Sequence, residues 1–378
     1  MKSIPRQSFR ELVEHSQAPS VSIYSPMVVA GSEVQQNPIR FKNLLNEAKK
    51  VLTEEQQQML APAEKLLEDP MFWQHQGPGL AVFLAKDFFK YYQLPMDVKP
   101  LVQVSRHFHI SPLVRVFNED GQFYVLSLSM GGAHLYRASH FDLEEMELGA
   151  AVPKSLDEAL EGLQKEKALN YHSQNTGGGA EAVYHGHDDP NAHRQDLLRW
   201  FRPLAQEVRR LLNEQGGGPL VLAGVEYLHP IFREAIDYSG LTDTAVMGSI
   251  EEMSEKELLE KAWPCVEEVI KSREMATLER LNNLSGSGKT SEQLEEVVKE
   301  SLQGRVDTLF LSQEHQVWGQ WQEESEPNNF SFETANPPAA EELMNLAAIH
   351  TIRKGGKVHV VAPEQMPRGA GMAALFRY

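Results

Sequence analysis

Short apolar runs recur along the whole chain: VSIYS (Val21 to Ser25), GLAVFLA (Gly79 to Ala85), FYVLSLS from Phe123, PLVLAGV (Pro219 to Val225), VDTLFLS from Val306 and VHVVAP from Val358. At five to seven residues they are short for helices and right for strands, and a run that is apolar throughout has to be buried. The segments between them carry a helical period. PIRFKNLLNEAKKVL places Phe41, Leu44, Leu45, Ala48 and Leu52 on one face. DLLRWFRPLAQEVRRLLNEQGGG repeats Leu197, Phe201, Leu204, Val208 and Leu211, with Gly216 as a stop and Pro203 predicting a kink or a split. In TSEQLEEVVKESLQG, Thr290 and Gln293 stand at capping-box spacing before the stripe Leu294, Val297, Val298 and Leu302. AAEELMNLAAIHTIRKGG predicts a helix ending at Gly355. In the first third, FKYYQLP and VQVSRHFHI read as further strands of a small sheet covered on one face. Helices alternating with strands in the last third predict an α/β/α sandwich. The expected class is α/β, mixed with α+β.

The 378 residues suit two or three domains. Net charge is −17, which argues against a protein whose whole surface grips nucleic acid, since that mode needs a basic face. The charge is uneven: residues 1–118 sum to +2, residues 119–268 to −15 and residues 269–378 to −4. An anionic partner is therefore met most easily by the first third. No run of 18 apolar residues occurs, and the opening MKSIPRQSFRELVEHS carries both charge signs, so a cytoplasmic protein without membrane contact is expected. The lone Cys265 has no second cysteine for a disulfide or a zinc pair and is read as core filler.

Two stretches attract chemical attention. GSGKT ends like a phosphate-binding loop, but the required upstream glycine position holds Asn283 and a helical segment precedes it, so an interhelical loop is expected there. NYHSQNTGGGAEAVYHGHDDPNAHRQ has no helical period and gathers glycines, amides and histidines; loops of this length in compact domains are usually functional. Its His172, His185, His187, His193, Asp188 and Asp189 are of ligand type, yet their spacing matches no zinc pattern, and no metal or other cofactor is expected. Gly177, Gly178 and Gly179 make the chain locally free to bend.

Taken in order, these segments resemble the release factor and Pelota family of archaea and eukaryotes, in its bacterial relatives. SVSIYSP, IRFKNLLNEA, GPGLAVFLA and SRHFHISPLV follow the order of that family's N-terminal domain. FYVLSLSMGGAHLYRAS, the glycine loop, the long helix and PLVLAGV resemble its ribonuclease H-like central domain. RVDTLFLS, HTIRKGGKVHVVAP and GAGMAALFRY resemble its L7Ae-like C-terminal domain. The resemblance implies three domains, at 1–118, 119–268 and 269–378.

It also implies a ribosome partner at rRNA and tRNA sites, with a translational GTPase as a possible second partner, and neither DNA nor membrane. Release factors of the family carry a Gly-Gly-Gln loop that promotes peptidyl-tRNA hydrolysis, where a mobile backbone approaches the ester and a side chain positions water. In this sequence the matching loop reads NTGGGAEA, with Gly179 where the glutamine would stand; a second alignment puts the tip at Tyr184 to His187. The stop-codon motif Asn-Ile-Lys-Ser is replaced by QNPIRFKN. These departures favour an A-site factor of ribosome rescue or hibernation. The candidate loop residues at the peptidyl-transferase centre are Gln174, Gly177, Gly178, Gly179, His185, Gly186 and His187. Two alternatives stand beside this reading. One is hydrolysis with Gln174, His185 or His187 in the glutamine's place. The other is an RNA-binding or RNA-processing protein, whose metal chemistry would need carboxylates at strand ends.

Overall fold

The computed structural model describes residues 6–117, 121–150, 152–161, 190–313, 315–321, 330–333 and 340–378. It is a mixed α/β structure with several sheets. Two compact units divide it: residues 1–119 with 275–378, and residues 120–274.

The chain begins with α1 (Arg6–Glu14), β1 (Ser20–Pro26), α2 (Asn37–Val51), α3 (Ala61–Leu66), α4 (Pro70–Gln74), β2 (Gly79–Ala85), β3 (Phe88–Leu94), β4 (Leu101–Ser105) and α5 (Ser111–Phe117). The four strands form an antiparallel sheet in the order β3-β2-β1-β4. Val21, Ile23, Leu80 and Val82 pack against Phe41, Leu44, Leu45 and Ala48 of α2. Alternate residues Tyr24, Ala81 and Phe83 enter a different core, shared with residues 297–376. The expectation of one covered face is thus corrected: both faces are buried, which is what the uninterrupted apolar character of β1 and β2 required. The strand expected through VQVSRHFHI stops at Ser105. Beyond it His107, Phe108, His109 and Ile110 turn inward, held where Tyr24 Oη donates to the His109 carbonyl (2.6 Å) and His109 N donates to Ser22 Oγ (2.9 Å).

The second unit contains β5 (Phe123–Leu128), β6 (Ala133–Ala138), β7 (Leu143–Met146), α6 (Pro190–Glu214), β8 (Leu220–Gly224), α7 (Leu228–Ala235), β9 (Val246–Met247), α8 (Glu255–Ala262) and the first part of α9 (Glu267–Asn283). Its sheet runs β7-β6-β5-β8-β9, with β5, β6 and β7 antiparallel and β8 and β9 parallel to β5. One face, through Tyr124, Leu126 and Leu222, meets α6 and α7. The other, through Phe123, Val125 and Val221, meets Leu258, Ala262 and Val266. Helix α6 runs unbroken through Pro203. Its fully buried stripe of Leu197, Trp200, Phe201, Leu204 and Val208 offsets the roughly 3 kcal/mol that an interior proline costs. Gly224 is required where β8 closes on β5, since a Cβ there would lie 2.4 Å from the Leu128 carbonyl oxygen. Cys265 sits partly buried at the edge of its cluster rather than in the core, because the short 3-10 turn Trp263–Cys265 carries it to the rim.

The remaining elements are β10 (Thr290–Ser291), α10 (Leu294–Leu302), β11 (Val306–Ser312), β12 (Trp318–Trp321), β13 (Phe330–Glu333), β14 (Glu341–Glu342), α11 (Leu343–Arg353), β15 (Lys357–Val361) and β16 (Met372–Phe376). The main sheet runs β10-β16-β11-β15 and a small one β13-β12-β14. Leu309 and Leu311 face α10 and α11, while Phe310 packs with Leu278 and Leu281 of α9, giving helices on both faces. The capping box at Thr290 is corrected: Thr290 pairs with Leu375 in β10. Ser291 takes over the turn, its Oγ accepting from Gln293 N (3.1 Å) and contacting Glu296 (2.6 Å). Within this unit Tyr24 and Phe108 from one end of the chain share a core with Leu343 and Ala347 from the other.

Candidate functional site

Gln174, Gly177, Gly178, Gly179, His185, Gly186 and His187 lie outside the described residues, as do His172, Asp188 and Asp189. The described chain on either side of residues 162–189 is closely held. Before them, residues 156–161 are helical and Leu156 is buried. Trp200 Nε1 of α6 donates to the Pro153 carbonyl (2.9 Å), so the incoming chain is tied to the helix that follows the segment. Leu156, Leu197, Trp200 and Phe201 belong to one core cluster. Gly149 N donates to Glu207 Oε1 (3.1 Å), and a Cβ at 149 would lie 2.6 Å from that oxygen, so the Glu207 side chain would have to shift. The Arg210 guanidinium beside Glu207 holds its carboxyl below the ordinary range. His193 is half-buried in the first turns of α6, and Arg194 pairs with Glu234 of α7.

GSGKT forms the turn between α9 and β10, with Gly286 and Gly288 at φ of 78° and 77°. Ser287 Oγ donates to the Leu284 carbonyl (2.6 Å) and accepts from Lys289 N (3.3 Å). A helix stands before this turn and a two-residue strand after it, the reverse of a phosphate-binding loop. Among the described residues no group of three or more His, Cys, Asp or Glu is placed to hold a metal ion. No described helix is long and apolar enough to cross a membrane.

The first unit holds a cavity of about 420 Å³ between the segment 96–115 and the C-terminal sheet. Its buried polar members are His109, Ser312 and Glu342; its exposed members include Lys99, Arg115 and His315. Glu342 caps α11, its carboxylate accepting from Asn345 N (2.7 Å), Met344 N (3.1 Å) and Val317 N (3.1 Å). Burial pushes its pKa up to about 7, against the pull of those three N–H groups. Burial lowers His109 to about 4, and its Nδ1 has no hydrogen-bond partner. His315 Nδ1 lies 3.0 Å from Ser312 Oγ, which fixes the ring at the rim.

Nearby, His107 Nδ1 meets Glu341 Oε1 at 2.9 Å and its ring lies 6.2 Å from that of His350, which burial lowers to about 4. Sequence reasoning missed these residues because they stand more than 200 positions apart. The local signals were the alternation in RHFHI and an acid directly before LMNLAAI, which is the N-cap position of a helix.

Residues 122–305 match the model of bacterial archaeo-eukaryotic release factor family 3. Over that stretch, just under half of its length, the chain is similar to bacterial relatives of the archaeal and eukaryotic release factors. Among solved structures it is similar to the archaeal translation termination factor aRF1, at 15% identity over 99% of this chain and 97% of that one, TM-score 0.25. It is also similar to archaeal Pelota in a model of ribosome-bound Pelota and ABCE1 (13%, 76% and 72%, TM-score 0.40) and to Archaeoglobus fulgidus Pelota (14%, 79% and 79%, TM-score 0.27). No curated protein matches the sequence.

Proposed function

We propose that this protein is a ribosome-binding translation factor of the release factor and Pelota type, acting at the A site in rescue or hibernation. The observation that carries the reading is the family match over residues 122–305, which takes in most of the second unit. The sheet order of that unit, three antiparallel strands followed by two parallel ones, supports a ribonuclease H-like reading of the central part. Helices on both faces of the last sheet support an L7Ae-like reading of the C-terminal part. In this reading residues 1–118 face the decoding centre, residues 119–268 carry the segment 173–193 toward the peptidyl-transferase region, and residues 269–378 meet a translational GTPase. Without Gly-Gly-Gln the factor occupies the site and does not release peptide. The near-neutral charge of residues 1–118 suits docking by shape and a limited number of phosphate contacts. The working compartment is the cytoplasm, where ribosomes are found.

Co-sedimentation with purified 70S ribosomes at moderate salt tests the proposal. Binding that competes with A-site tRNA is expected. Failure to pellet with ribosomes from growing, stressed and stationary cells would overturn it. Labelled peptide is expected to stay on tRNA when the protein is added to programmed ribosomes. Release that is lost in a Gly178→Ala/His185→Ala variant would instead establish the hydrolase.

A further inference from the structure

The cavity of the first unit joins apolar surface to charged and polar side chains. Its volume of about 420 Å³ falls within the range of small-molecule pockets, roughly 300–1,000 Å³. The deep part joins aliphatic surface from Leu311, Met344 and Val360 to polar groups on His109, Ser312 and Glu342. Three features of the lining bear on what it could hold. His109 lines the cavity at 3% exposure and its ring makes no hydrogen bond among the described residues. The Glu342 carboxylate is already spent on three backbone N–H groups, so it does not confront a ligand as a free negative charge. Lys99 and Arg115 at the rim make no ion pair among the described residues, and they outnumber the one rim acid in the lining, Asp97.

We propose that this cavity binds a nucleoside monophosphate group, its phosphate held by Lys99 and Arg115 and its base against His109, Ser312 and the aliphatic wall. A flat body with hydrogen-bonding edges suits a floor that offers an imidazole and a hydroxyl beside Leu311, Met344 and Val360. An anionic end suits two unpaired cations, of which the guanidinium can bind phosphate through two parallel N–H bonds. His315, oriented by Ser312, adds a third rim donor. The group could reach the cavity as a free nucleotide or as one nucleotide of a single-stranded RNA, and the chemistry of the site is the same for both.

Calorimetric titration of the full-length protein distinguishes the two sources. The probes are the four nucleoside 5′-monophosphates, the matching nucleosides, inorganic phosphate and a short single-stranded RNA. Saturable binding of a monophosphate, at least tenfold tighter than its nucleoside or phosphate alone, is the expected result for a free nucleotide. Saturation by RNA without the monophosphates assigns the site to a nucleotide within a strand. In either case Arg115→Ala with Lys99→Ala weakens binding at least tenfold while the unfolding midpoint is unchanged, because both side chains are exposed. No saturable binding by any probe overturns the proposal. So does equal binding by phosphate alone, or binding indifferent to the double variant. Ribosome co-sedimentation is a separate readout, so failure here leaves the translation-factor reading to its own test.

Discussion

Both units cover the two faces of a sheet with helices, yet they find the helices in different places along the chain. The second takes them from residues 190–270, so both faces of its sheet are covered from one continuous stretch that also holds β8 and β9. The first takes the cover for one face of β1 and β2 from α11, and the carbonyl of Phe108 receives the Asn345 side chain across 237 positions. Closing so long a separation adds little entropy cost compared with a moderate one, but it makes the N-terminal sheet depend on a remote partner. Polar stitches mark the seam. Asn345 Oδ1 accepts from Ile110 N (2.7 Å) and Ser111 N (3.1 Å), and Arg353 Nε donates to the Val13 carbonyl (2.8 Å).

The sharpest way to break this contrast is to cut the chain. Residues 1–119 alone leave Tyr24, Ala81, Phe83 and Phe108 uncovered and are expected to show no cooperative unfolding transition. Adding residues 275–378 in trans should restore one, read by near-ultraviolet circular dichroism. Next in size, Trp200→Ala removes a fully buried indole and its bond to Pro153. It should cost about 3–5 kcal/mol, with hydrogen-exchange protection lost in β5 and β8 and retained in β1 and β2. Asn345→Ala should do the reverse. It strands the Ile110 and Ser111 amides at a cost of about 2–4 kcal/mol, with protection lost over 101–117.

Acid sharpens the comparison further. In the first unit burial lowers the pKa values of His15, His109 and His350, the last two to about 4; in the second, burial lowers His229. A histidine depressed by folding contributes stability that is present above its unfolded value near 6.5 and is lost as pH falls through the folded value. For His109 alone the loss is on the order of 3 kcal/mol. Glu342 has the opposite sign: raised to about 7, it contributes most below 4.5 and loses that contribution as pH rises through 7. Between pH 6.5 and 4 the first unit should therefore soften, and Glu342→Gln should steepen the slope by removing the opposing titration. Urea midpoints at a series of pH values, resolved by exchange protection, check both. The smallest expected effect is at the Arg194–Glu234 pair, about half exposed on each side. Arg194→Ala should change stability by less than about 1 kcal/mol.

Much of the local structure was legible because burial writes a period into the chain. The strands around Val21, Gly79, Phe123, Leu220 and Val306 and the stripe of α6 lie where their apolar residues recur, since each side chain's face is set by position within its own element. The strand through RHFHI was overextended because alternation persists where the chain turns inward to bury His107 and His109, and a period cannot distinguish a buried loop from a buried strand. Thr290 and Gln293 had the spacing of a cap, yet pairing with β16 claimed Thr290 first.

By itself the sequence determined the alternation of strands and helices, the acidity of the middle third and the order of segments that resembles the release factor and Pelota family. Only the tertiary structure decided that the two ends of the chain share one core, and that His109, Arg115 and Glu342 line one cavity. The physical reason is that element type follows from contacts within a few residues, whereas a core or a site is a meeting of surfaces whose partners no local period names.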